Sequence, residues 1–260
     1  MLKKIFFLIW HLWMTLDFFV SASLIKLITP DLVRRRQRFI RNNHRVAKGY
    51  LKAFRIKTTI QNPERLELFK DKNYLVVANH VSYTDIMVLS SIRPFSFITS
   101  VEMGSNPFLG DITRLGGSLY TNRKKFVSLP AEIENFAEAL RQGFNVVLFA
   151  EGTSTDGSDI RPFRSSLFEM AIKSQADILP VCINYTTING EPRSEANRDI
   201  LCWYGDMSFA PHFWRLLGHK ITAKISILEP IACTTQTKRQ SLSNETYERI
   251  RAEYLGLPQN

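Results

Sequence analysis

Cysteine is scarce in this sequence, with only three in 260 residues: Cys182, Cys202 and Cys233. They lie far apart and form no CxxC pair, so the usual signatures of a zinc ribbon and of a disulfide framework are both missing. We therefore expect three buried thiols, as in a protein kept in a reducing compartment.

Several widespread catalytic motifs are also missing. The sequence contains no GxSxG elbow, no P-loop of the GxxxxGKS or GxxxxGKT type, no HExxH pair and no GxGxxG turn. These absences argue against a serine hydrolase with a nucleophile elbow, a P-loop nucleotidase, a zinc protease and a dinucleotide-binding enzyme. The sequence also has no internal repeat, low-complexity tract or clear linker, so we expect one main domain.

Acidic residues are outnumbered, with 24 Asp and Glu against 34 Lys and Arg, which gives a net charge of +10. Such an excess suits nucleic acid, an anionic membrane surface or anionic substrates, without choosing among them. The apolar fraction of 45% and the charged fraction of 22% are ordinary for a folded chain.

One long apolar run is present, over residues 5–29. It is about as long as a membrane-spanning helix and longer than the apolar core of a signal peptide. His11, Asp17 and Lys26 interrupt the run, and an aspartate near the bilayer centre costs about 2.5 to 3.5 kcal/mol. We therefore predict a helix or helical hairpin that lies in the membrane interface, with a single membrane span and a soluble helix as alternatives.

Positive charge flanks this run on both sides, with Lys3 and Lys4 before it and the block RRRQR, residues 34–38, after it. This symmetry gives no clear orientation and suits both ends on the cytoplasmic face. Trp10 and Trp13 suit an interfacial position. The basic block fits contact with anionic lipid headgroups, although a solvated helix face explains it as well.

Helical and strand patterns alternate along the rest of the chain. Residues 30–70 have a helical pattern, and further helices are predicted at 84–92, 131–143 and 164–175. Short apolar runs predict strands at 73–79, 95–100, 116–122, 145–150, 178–185 and 220–231. The alternation predicts an α/β fold with a mixed, largely parallel sheet flanked by helices. We divide the chain into a membrane-associated segment, 1–35, and a catalytic domain, 36–260.

A histidine and an aspartate lie at the end of the run YLVVANHVSYTDIMVL, residues 74–89. His80 follows a predicted strand, where functional groups gather in α/β proteins. Side chains five residues apart diverge by about 140° on a regular helix, so His80 and Asp85 meet only if His80 lies in the turn. A carboxylate on one imidazole nitrogen makes the other more basic, as in a general base. Taken alone, the pair fits a helix-capping aspartate beside an unrelated histidine at least as well.

A polar loop follows the strand predicted at 145–150. It carries six candidate ligand-binding residues: Glu151, Gly152, Thr153, Ser154, Arg161 and Arg164. Glycine lets the backbone approach a ligand closely, and arginine suits an anionic group. An ordinary loop with turn residues explains the same pattern.

Two further residues are candidates for a site. Arg123 follows the strand predicted at 116–122 and suits a phosphate, or else a solvated basic turn. Pro180 is unusual inside a predicted strand, which suggests a sheet edge or a bulge near a site.

Four segments together resemble the glycerolipid acyltransferase family, typified by bacterial 1-acyl-glycerol-3-phosphate acyltransferases. They are NHVSYTD, GGSLYTNR, EGTS and ILPV, which occur in the family's order within residues 74–185. The resemblance implies that His80 is the catalytic base and that Asp85 orients it. It also implies residues that bind the acceptor's polar head or line a substrate pocket: Arg123, Glu151, Gly152 and Pro180.

The resemblance further implies the substrates and the location of the protein. It predicts transfer of a fatty acyl chain from acyl-carrier protein or coenzyme A to a lysolipid hydroxyl, in phospholipid or ornithine-lipid biosynthesis. No metal, bound cofactor or nucleic-acid partner is expected. The predicted location is the cytoplasmic face of a bacterial inner membrane.

One residue departs from the family pattern. Members that act on lysophosphatidic acid commonly have arginine after Glu-Gly-Thr, where this chain has Ser154, and serine cannot replace a guanidinium that binds phosphate. This segment and residues 203–217 resemble the lyso-ornithine lipid acyltransferase branch. The acceptor is therefore lysophosphatidic acid, another lysophospholipid or a lipid hydroxyl, with Arg161 or Arg164 as a substitute for the missing charge.

A non-catalytic alternative is a basic protein that binds membranes or nucleic acid. It explains the charge but treats the ordered placement of His80, Asp85 and Glu151 as coincidence. The basic and aromatic run KAFRIK is too short to argue for nucleic acid.

Overall fold

Two antiparallel helices open the protein, whose computed structural model describes residues 2–107 and 109–257. Helix α1 covers Leu2–Ile28 and helix α2 covers Leu32–Ala53. Asp31 begins α2, since its side chain accepts a hydrogen bond from the backbone nitrogen of Arg34 at 2.7 Å. The predicted N-terminal helix is therefore one arm of a helical hairpin.

Strands and helices alternate after the hairpin. The strands are β1 (Ile56–Gln61), β2 (Leu75–Ala78), β3 (Ser96–Ser100), β4 (Leu119–Thr121), β5 (Val146–Phe149), β6 (Ile178–Ile188), β7 (Glu191–Pro192) and β8 (Ile221–Ile227). The helices are α3 (Leu68–Asp71), α4 (Thr84–Ser90), α5 (Val101–Gly104), α6 (Leu109–Leu115), α7 (Leu129–Arg141), α8 (Glu169–Ser174), α9 (Phe209–Leu216) and α10 (Arg239–Leu255).

In the described parts of the chain, these strands form one sheet in the order β1-β8-β6-β2-β5-β3-β4, with β7 added to β6. Strands β6, β2, β5, β3 and β4 are parallel to one another. Strand β8 runs antiparallel to β6, and β1 runs parallel to β8. The predicted mixed, largely parallel sheet is thus confirmed.

Both faces of the sheet are buried, which explains why its central strands are continuously apolar. Along β2, Leu75 and Val77 pack into a core with residues of α7, α8 and α10. The alternate residues Val76 and Ala78 pack into a second core with residues of α4 and α9. The sheet therefore holds the carboxyl ends of β2, β5 and β6 at fixed positions on one edge.

The helical pattern predicted over 30–70 is wrong for β1. In this edge strand Ile56 is buried, and exposed residues alternate with partly buried ones, as expected when one face contacts solvent. Ile56 and Ile60 are four residues apart, a spacing that an amphipathic helix shares. The run was too short to separate the two periods.

The edge position suggested for Pro180 is also wrong, because β6 lies inside the sheet between β8 and β2. Ile178 exchanges two backbone hydrogen bonds with Ile231, and the carbonyl of Pro180 accepts one from Leu228. The proline nitrogen therefore faces the β8 side, just beyond the regular ladder that ends at the Val181–Ile227 pair. Proline has no backbone N–H group to donate, and in β6 this donor is missing where the regular pairing with β8 has already ended.

The proposed division into residues 1–35 and 36–260 stays a prediction. Helix α2 runs without interruption across that boundary. Met1, residue 108 and residues 258–260 lie outside the described residues.

Candidate active site

The loop after β2 is fixed by a buried asparagine. The Asn79 side chain donates to the carbonyl of Ile183 at 2.9 Å and accepts from the nitrogen of Ile183 at 2.8 Å. These two bonds continue the pairing of β2 with β6 for one more residue. His80 is therefore presented from a rigid position at the carboxyl edge of the sheet.

His80 and Asp85 meet as the turn geometry requires. His80 lies in the turn before α4, and its Nδ1 lies 2.8 Å from Oδ2 of Asp85. Because that carboxylate is acceptor-only when ionised, Nδ1 carries the hydrogen and the neutral Nε2 has a free lone pair. The His80 side chain is 17% exposed, so Nε2 is within reach of a substrate.

The Asp85 carboxylate is completely buried and fully hydrogen-bonded. In addition to His80, Oδ2 accepts from the nitrogens of Val81 at 2.8 Å and Ser82 at 3.0 Å. Its position in the first turn of α4 also favours negative charge. These interactions offset the cost of burying the charge and fix the direction in which Asp85 faces His80.

Tyr185 is a member of this network that the sequence did not reveal. Its hydroxyl donates to Oδ1 of Asp85 at 2.7 Å and lies 2.8 Å from Oγ1 of Thr84. Burial, and next the charge of Asp85, raise the pKa of Tyr185 well above its ordinary value. Tyr185 therefore remains a protonated donor to the carboxylate.

Glu151 holds the backbone of the site. Its Oε1 accepts from the nitrogen of His80 at 2.7 Å, and its Oε2 accepts from the nitrogen of Arg161 at 2.9 Å. Burial raises the pKa of Glu151 to about 7, while these two amide hydrogen bonds lower it. Both oxygens are thus used to join the His80 turn to the loop after β5.

Phe149 links the His80 turn to the loop after β5. The His80 ring stacks on Phe149 with a centroid distance of 4.1 Å and an interplanar angle of 15°. Directly afterwards, the nitrogen of Gly152 donates to the carbonyl of Phe149 at 3.1 Å, and Gly152 adopts a φ of +78°. Glycine takes this left-handed conformation without the strain that a Cβ would add.

Two arginines converge on Gly152. Arg123 donates from Nη1 to the carbonyl of Gly152, and the guanidinium of Arg164 lies 3.1 to 3.3 Å from the position a Cβ on Gly152 would occupy. Desolvation, and next the charge of Arg164, lower the pKa of Arg123. Within the described residues, neither guanidinium forms an ion pair with a carboxylate, and two such arginines have the chemistry to bind an oxyanion.

Ser154 bonds the backbone of a different segment. It is buried, and its hydroxyl donates to the carbonyl of Trp203. The nitrogen of Trp203 in turn donates to the carbonyl of Val81 at 2.8 Å. Ser154 therefore connects the loop after β5 to the segment before α9, beside the His80 turn.

The other predicted site residues lie at different places. Thr153 and Arg161 are exposed on the same loop. Pro180 pairs with Val77, which is three residues before His80. Pro180 therefore lies inside the sheet, below the edge that carries His80. The three cysteines are free and buried, as expected.

Several known proteins are similar to this chain in sequence or fold. The Acyltransferase family model matches residues 57–184. A lyso-ornithine lipid O-acyltransferase from Brucella abortus is 31% identical over 217 residues, which cover 80% of this chain and 79% of that protein. The chain belongs to the acyltransferase family.

Other comparisons agree with this assignment. A 1-acyl-sn-glycerol-3-phosphate acyltransferase from Neisseria gonorrhoeae is 30% identical over 179 residues, 68% of each chain. The crystal structure of the 1-acyl-sn-glycerophosphate acyltransferase from Thermotoga maritima has the same fold, with a TM-score of 0.64 over 99% of both chains at 17% identity. The predicted family resemblance is confirmed, and the non-catalytic alternative is wrong.

Proposed function

We propose that this acyltransferase moves a fatty acyl chain from an acyl thioester of acyl-carrier protein or coenzyme A to the hydroxyl of a lysolipid. The observation that carries the proposal is the His80–Asp85 pair, with its Nδ1–Oδ2 distance of 2.8 Å and an Nε2 left free for a substrate. The relatives described above, a lyso-ornithine lipid O-acyltransferase and a 1-acyl-sn-glycerol-3-phosphate acyltransferase, support the acceptor class.

The transfer needs one proton carrier. Nε2 of His80 takes the proton of the acceptor hydroxyl while its oxygen attacks the thioester carbonyl carbon. The carbon–sulfur bond then breaks, the new ester forms, and the leaving thiolate takes the proton back from His80. Asp85 stabilises the imidazolium and keeps the ring in the required tautomer. In this mechanism the chain uses no metal or bound cofactor, and the acyl thioester is a co-substrate.

Arg123 and Arg164 bind the acceptor headgroup in this proposal. Both guanidinium groups lie against Gly152, whose nitrogen donates to the carbonyl of Phe149, and the His80 ring stacks on Phe149. Phosphate and carboxylate are oxyanions that each present two oxygens to arginine, which binds them with paired hydrogen bonds. The pair therefore suits lysophosphatidic acid, and it also suits the carboxylate of an ornithine headgroup.

The remaining predicted site residues take supporting roles. Glu151 positions the His80 backbone, because both of its oxygens accept from amides. Gly152 makes room for the Arg164 guanidinium. Thr153 and Arg161 are exposed beside the headgroup site, while Pro180 shapes the sheet beneath the substrate pocket.

We further infer that α1 lies along the membrane surface and does not cross it. Helix α1 is long and apolar enough to span a bilayer, but polar contacts tie it to the rest of the protein along its length. Lys4 donates to the carbonyl of Trp214 at 3.0 Å, Thr15 bonds Tyr50 at 2.9 Å, and Asp17 pairs with Arg45 at 2.8 Å. These contacts keep the catalytic domain beside the helix, which fits a monotopic attachment.

The exposed surface of the hairpin has the character of such an attachment. An apolar row runs along α1 and consists of Ile5, Ile9, Leu12, Leu16, Val20, Leu24 and Leu27. A row of exposed cations runs along α2 and consists of Arg34, Arg38, Arg41, Arg45, Lys48 and Lys52. The first row suits lipid chains and the second suits anionic headgroups, as on the cytoplasmic face of a bacterial inner membrane.

The acyl transfer is tested with purified full-length protein and a panel of acceptors. Acyl-carrier protein and coenzyme A, each carrying a labelled fatty acyl thioester, are offered separately as donors. The acceptors are lysophosphatidic acid, lyso-ornithine lipid and lysophosphatidylcholine, and products are measured by mass spectrometry. We expect transfer to lysophosphatidic acid or lyso-ornithine lipid, whose phosphate or carboxylate is terminal, in preference to lysophosphatidylcholine, and a loss of about 100- to 10,000-fold in His80→Ala.

The variant's vesicle binding and thermal unfolding serve as controls for folding. Equal transfer by His80→Ala and the wild type would remove His80 from the mechanism. No transfer to any lysolipid from either donor would contradict the proposed substrate class.

A further inference from the structure

A cleft of about 440 Å³ opens where the N-terminal end of α1 meets the turn after α9. Its lining residues are Lys3, Lys4, Asn189, Leu217, Gly218 and His219. Asn189 follows β6, eight residues after Val181, which pairs with Ala78 beside the catalytic turn. His80 is two residues past Ala78, so six of these eight residues lie between its level and Asn189. At about 3.3 Å per strand residue, the cleft lies roughly 20 Å beyond His80. It is therefore separate from the active site.

The cleft is surrounded by positive charge. Lys4 donates to the carbonyl of Trp214 at 3.0 Å, and Arg55 donates to the carbonyl of Gly218 at 2.8 Å. Both cations are thus fixed by neutral backbone groups. Lys3 is exposed, and throughout the described residues no carboxylate forms an ion pair with Lys3, Lys4 or Arg55. Their charges remain available to an anion.

His219 adds a hydrogen-bond donor. Oδ1 of Asn189 accepts from the nitrogen of Lys220 at 2.9 Å, so the Asn189 amide nitrogen is the atom 2.8 Å from Nδ1 of His219. Nδ1 is then an acceptor, which leaves the hydrogen of the neutral ring on Nε2. Burial lowers the pKa of His219, and three nearby cations lower it further: Lys4, Lys3 and Arg55. Their effect shows how closely the positive charges gather.

Exposed apolar side chains adjoin the lysines of the cleft, next to them along α1 or in contact with Lys4. Leu2 is 87% exposed, Phe6 is 58% exposed and Trp214 is 43% exposed. The Lys4 amino group lies 5.6 Å from the centre of a Trp214 ring, so charge and apolar surface adjoin directly. A free phosphate would use only the charged part of this surface, whereas an anionic amphiphile would use both parts.

We propose that this cleft binds the phosphate of an anionic membrane phospholipid, whose acyl chains lie along the exposed face of α1. The proposal rests on the proposed membrane contact of α1 and is independent of acyl transfer. A lipid held here would fix the rotation of the hairpin on the bilayer and keep the carboxyl edge of the sheet towards the membrane.

Native mass spectrometry of the full-length chain, released from detergent micelles, tests the proposal. Phosphatidylglycerol and phosphatidylcholine are titrated separately into the wild type, into the double variant Lys3→Gln, His219→Gln and into Lys26→Gln. The last variant is the matched control, because Lys26 is exposed on the same helix at its other end. We expect the double variant to lose about fivefold or more in affinity for phosphatidylglycerol. Lys26→Gln and all phosphatidylcholine titrations should be unchanged.

Competition and activity complete the test. Inorganic phosphate and coenzyme A, at matched concentrations, should not displace phosphatidylglycerol. Acyl transfer to a short-chain acceptor in detergent should be equal in all three proteins, so a folding defect would be visible as lost activity. Equal phosphatidylglycerol affinity in the double variant would overturn the proposal. Displacement by phosphate or coenzyme A would assign the cleft to a soluble anion and overturn it as well. Loss of lipid selectivity confined to the double variant supports it even if no lysolipid is acylated.

Discussion

The hydroxyl of Tyr185 donates to Oδ1 of Asp85 at 2.7 Å, while Oδ2 of the same carboxylate faces His80. Because the single hydroxyl hydrogen of Tyr185 goes to Asp85, Thr84 is the donor in its 2.8 Å contact with Tyr185. The chain Thr84–Tyr185–Asp85–His80 therefore ends at Nδ1 of His80, across the ring from the Nε2 that is proposed to take the substrate's proton. Each hydrogen bond in it strengthens the next.

The first prediction concerns Tyr185→Phe, which removes one donor from the buried carboxylate. A hydrogen bond to a charged group contributes about 1.5 to 3 kcal/mol, and three other donors still hold Asp85. We expect kcat to fall roughly tenfold with little change in KM, because Tyr185 positions the base and touches no substrate. Steady-state kinetics across a range of pH measures both parameters and the position of the basic limb.

Tyr50→Phe is the matched control, because the Tyr50 hydroxyl bonds Thr15 in the N-terminal hairpin at 2.9 Å. It should keep the wild-type kcat and pH profile. An equal fall in both variants would mean that Tyr185 acts only through general stability.

The second prediction concerns Arg164→Gln. The guanidinium of Arg164 lies against Gly152 without a carboxylate partner among the described residues, so its loss should weaken binding of an anionic headgroup. We expect KM for the anionic acceptor to rise roughly tenfold, as for one lost charge-assisted hydrogen bond. Acceptor titrations at saturating acyl donor measure the change.

Arg161→Gln is the paired comparison, because Arg161 is exposed on the same loop and its backbone, not its side chain, is held by Glu151. Its KM should change less than twofold. A larger effect for Arg161 than for Arg164 would reverse the assignment of the headgroup residue.

The third prediction concerns the apolar row of α1. Leu16 is 56% exposed, so Leu16→Glu leaves the core intact but places a charge where lipid chains are expected. Burying a leucine side chain contributes about 1.5 to 3 kcal/mol. We therefore expect at least a tenfold lower partition into lipid vesicles, measured by flotation.

Val127→Glu makes the same type of change at a residue that is 96% exposed outside the hairpin. It should leave the partition unchanged. If Leu16→Glu binds vesicles as well as the wild type does, the membrane contact lies elsewhere on the protein.

The His80–Asp85 contact and the positions of the central strands along the chain could be predicted from the sequence because both are local signals. His80 and Asp85 are five residues apart, and the turn between them needs only a strand end and a helix start. Strands β2, β5 and β6 lie in short continuous apolar runs followed by polar residues, a pattern typical of buried strands. The two-sided burial of a parallel sheet produces this pattern directly.

Tyr185 and the contacts made by the other supporting residues could not be predicted, because their partners are distant in the chain. Tyr185 is 100 residues from Asp85, and Glu151 is 71 residues from His80. The role of Ser154 depends on a contact with Trp203 across 49 residues, which turns its side chain inward. Only tertiary packing shows that the Ser154 hydroxyl meets the Trp203 carbonyl and that the Arg164 guanidinium lies against Gly152.

The last prediction concerns the pH dependence of stability at Glu151. Burial raises the pKa of this carboxyl from its ordinary value of 4.5 to about 7 in the folded protein. Because the folded pKa is the higher one, the folded state binds the proton more tightly. The resulting stability is fully present below pH 4.5 and is lost as the pH rises through about 7.

Glu151→Gln removes this titration. The unfolding free energy of the wild type minus that of the variant should therefore decrease by up to about 3 kcal/mol between pH 4.5 and 8. The variant should also be less active at every pH, since glutamine has one acceptor oxygen for the two amides of His80 and Arg161. Chemical unfolding at pH 4.5, 6 and 8 measures the difference, with Glu64→Gln at an exposed carboxylate as the control. A difference in unfolding free energy between wild type and Glu151→Gln that stays constant with pH would show that burial does not raise the pKa of Glu151. The carboxyl group that joins the His80 turn to the loop after β5 would then be ionised over the whole of this pH range.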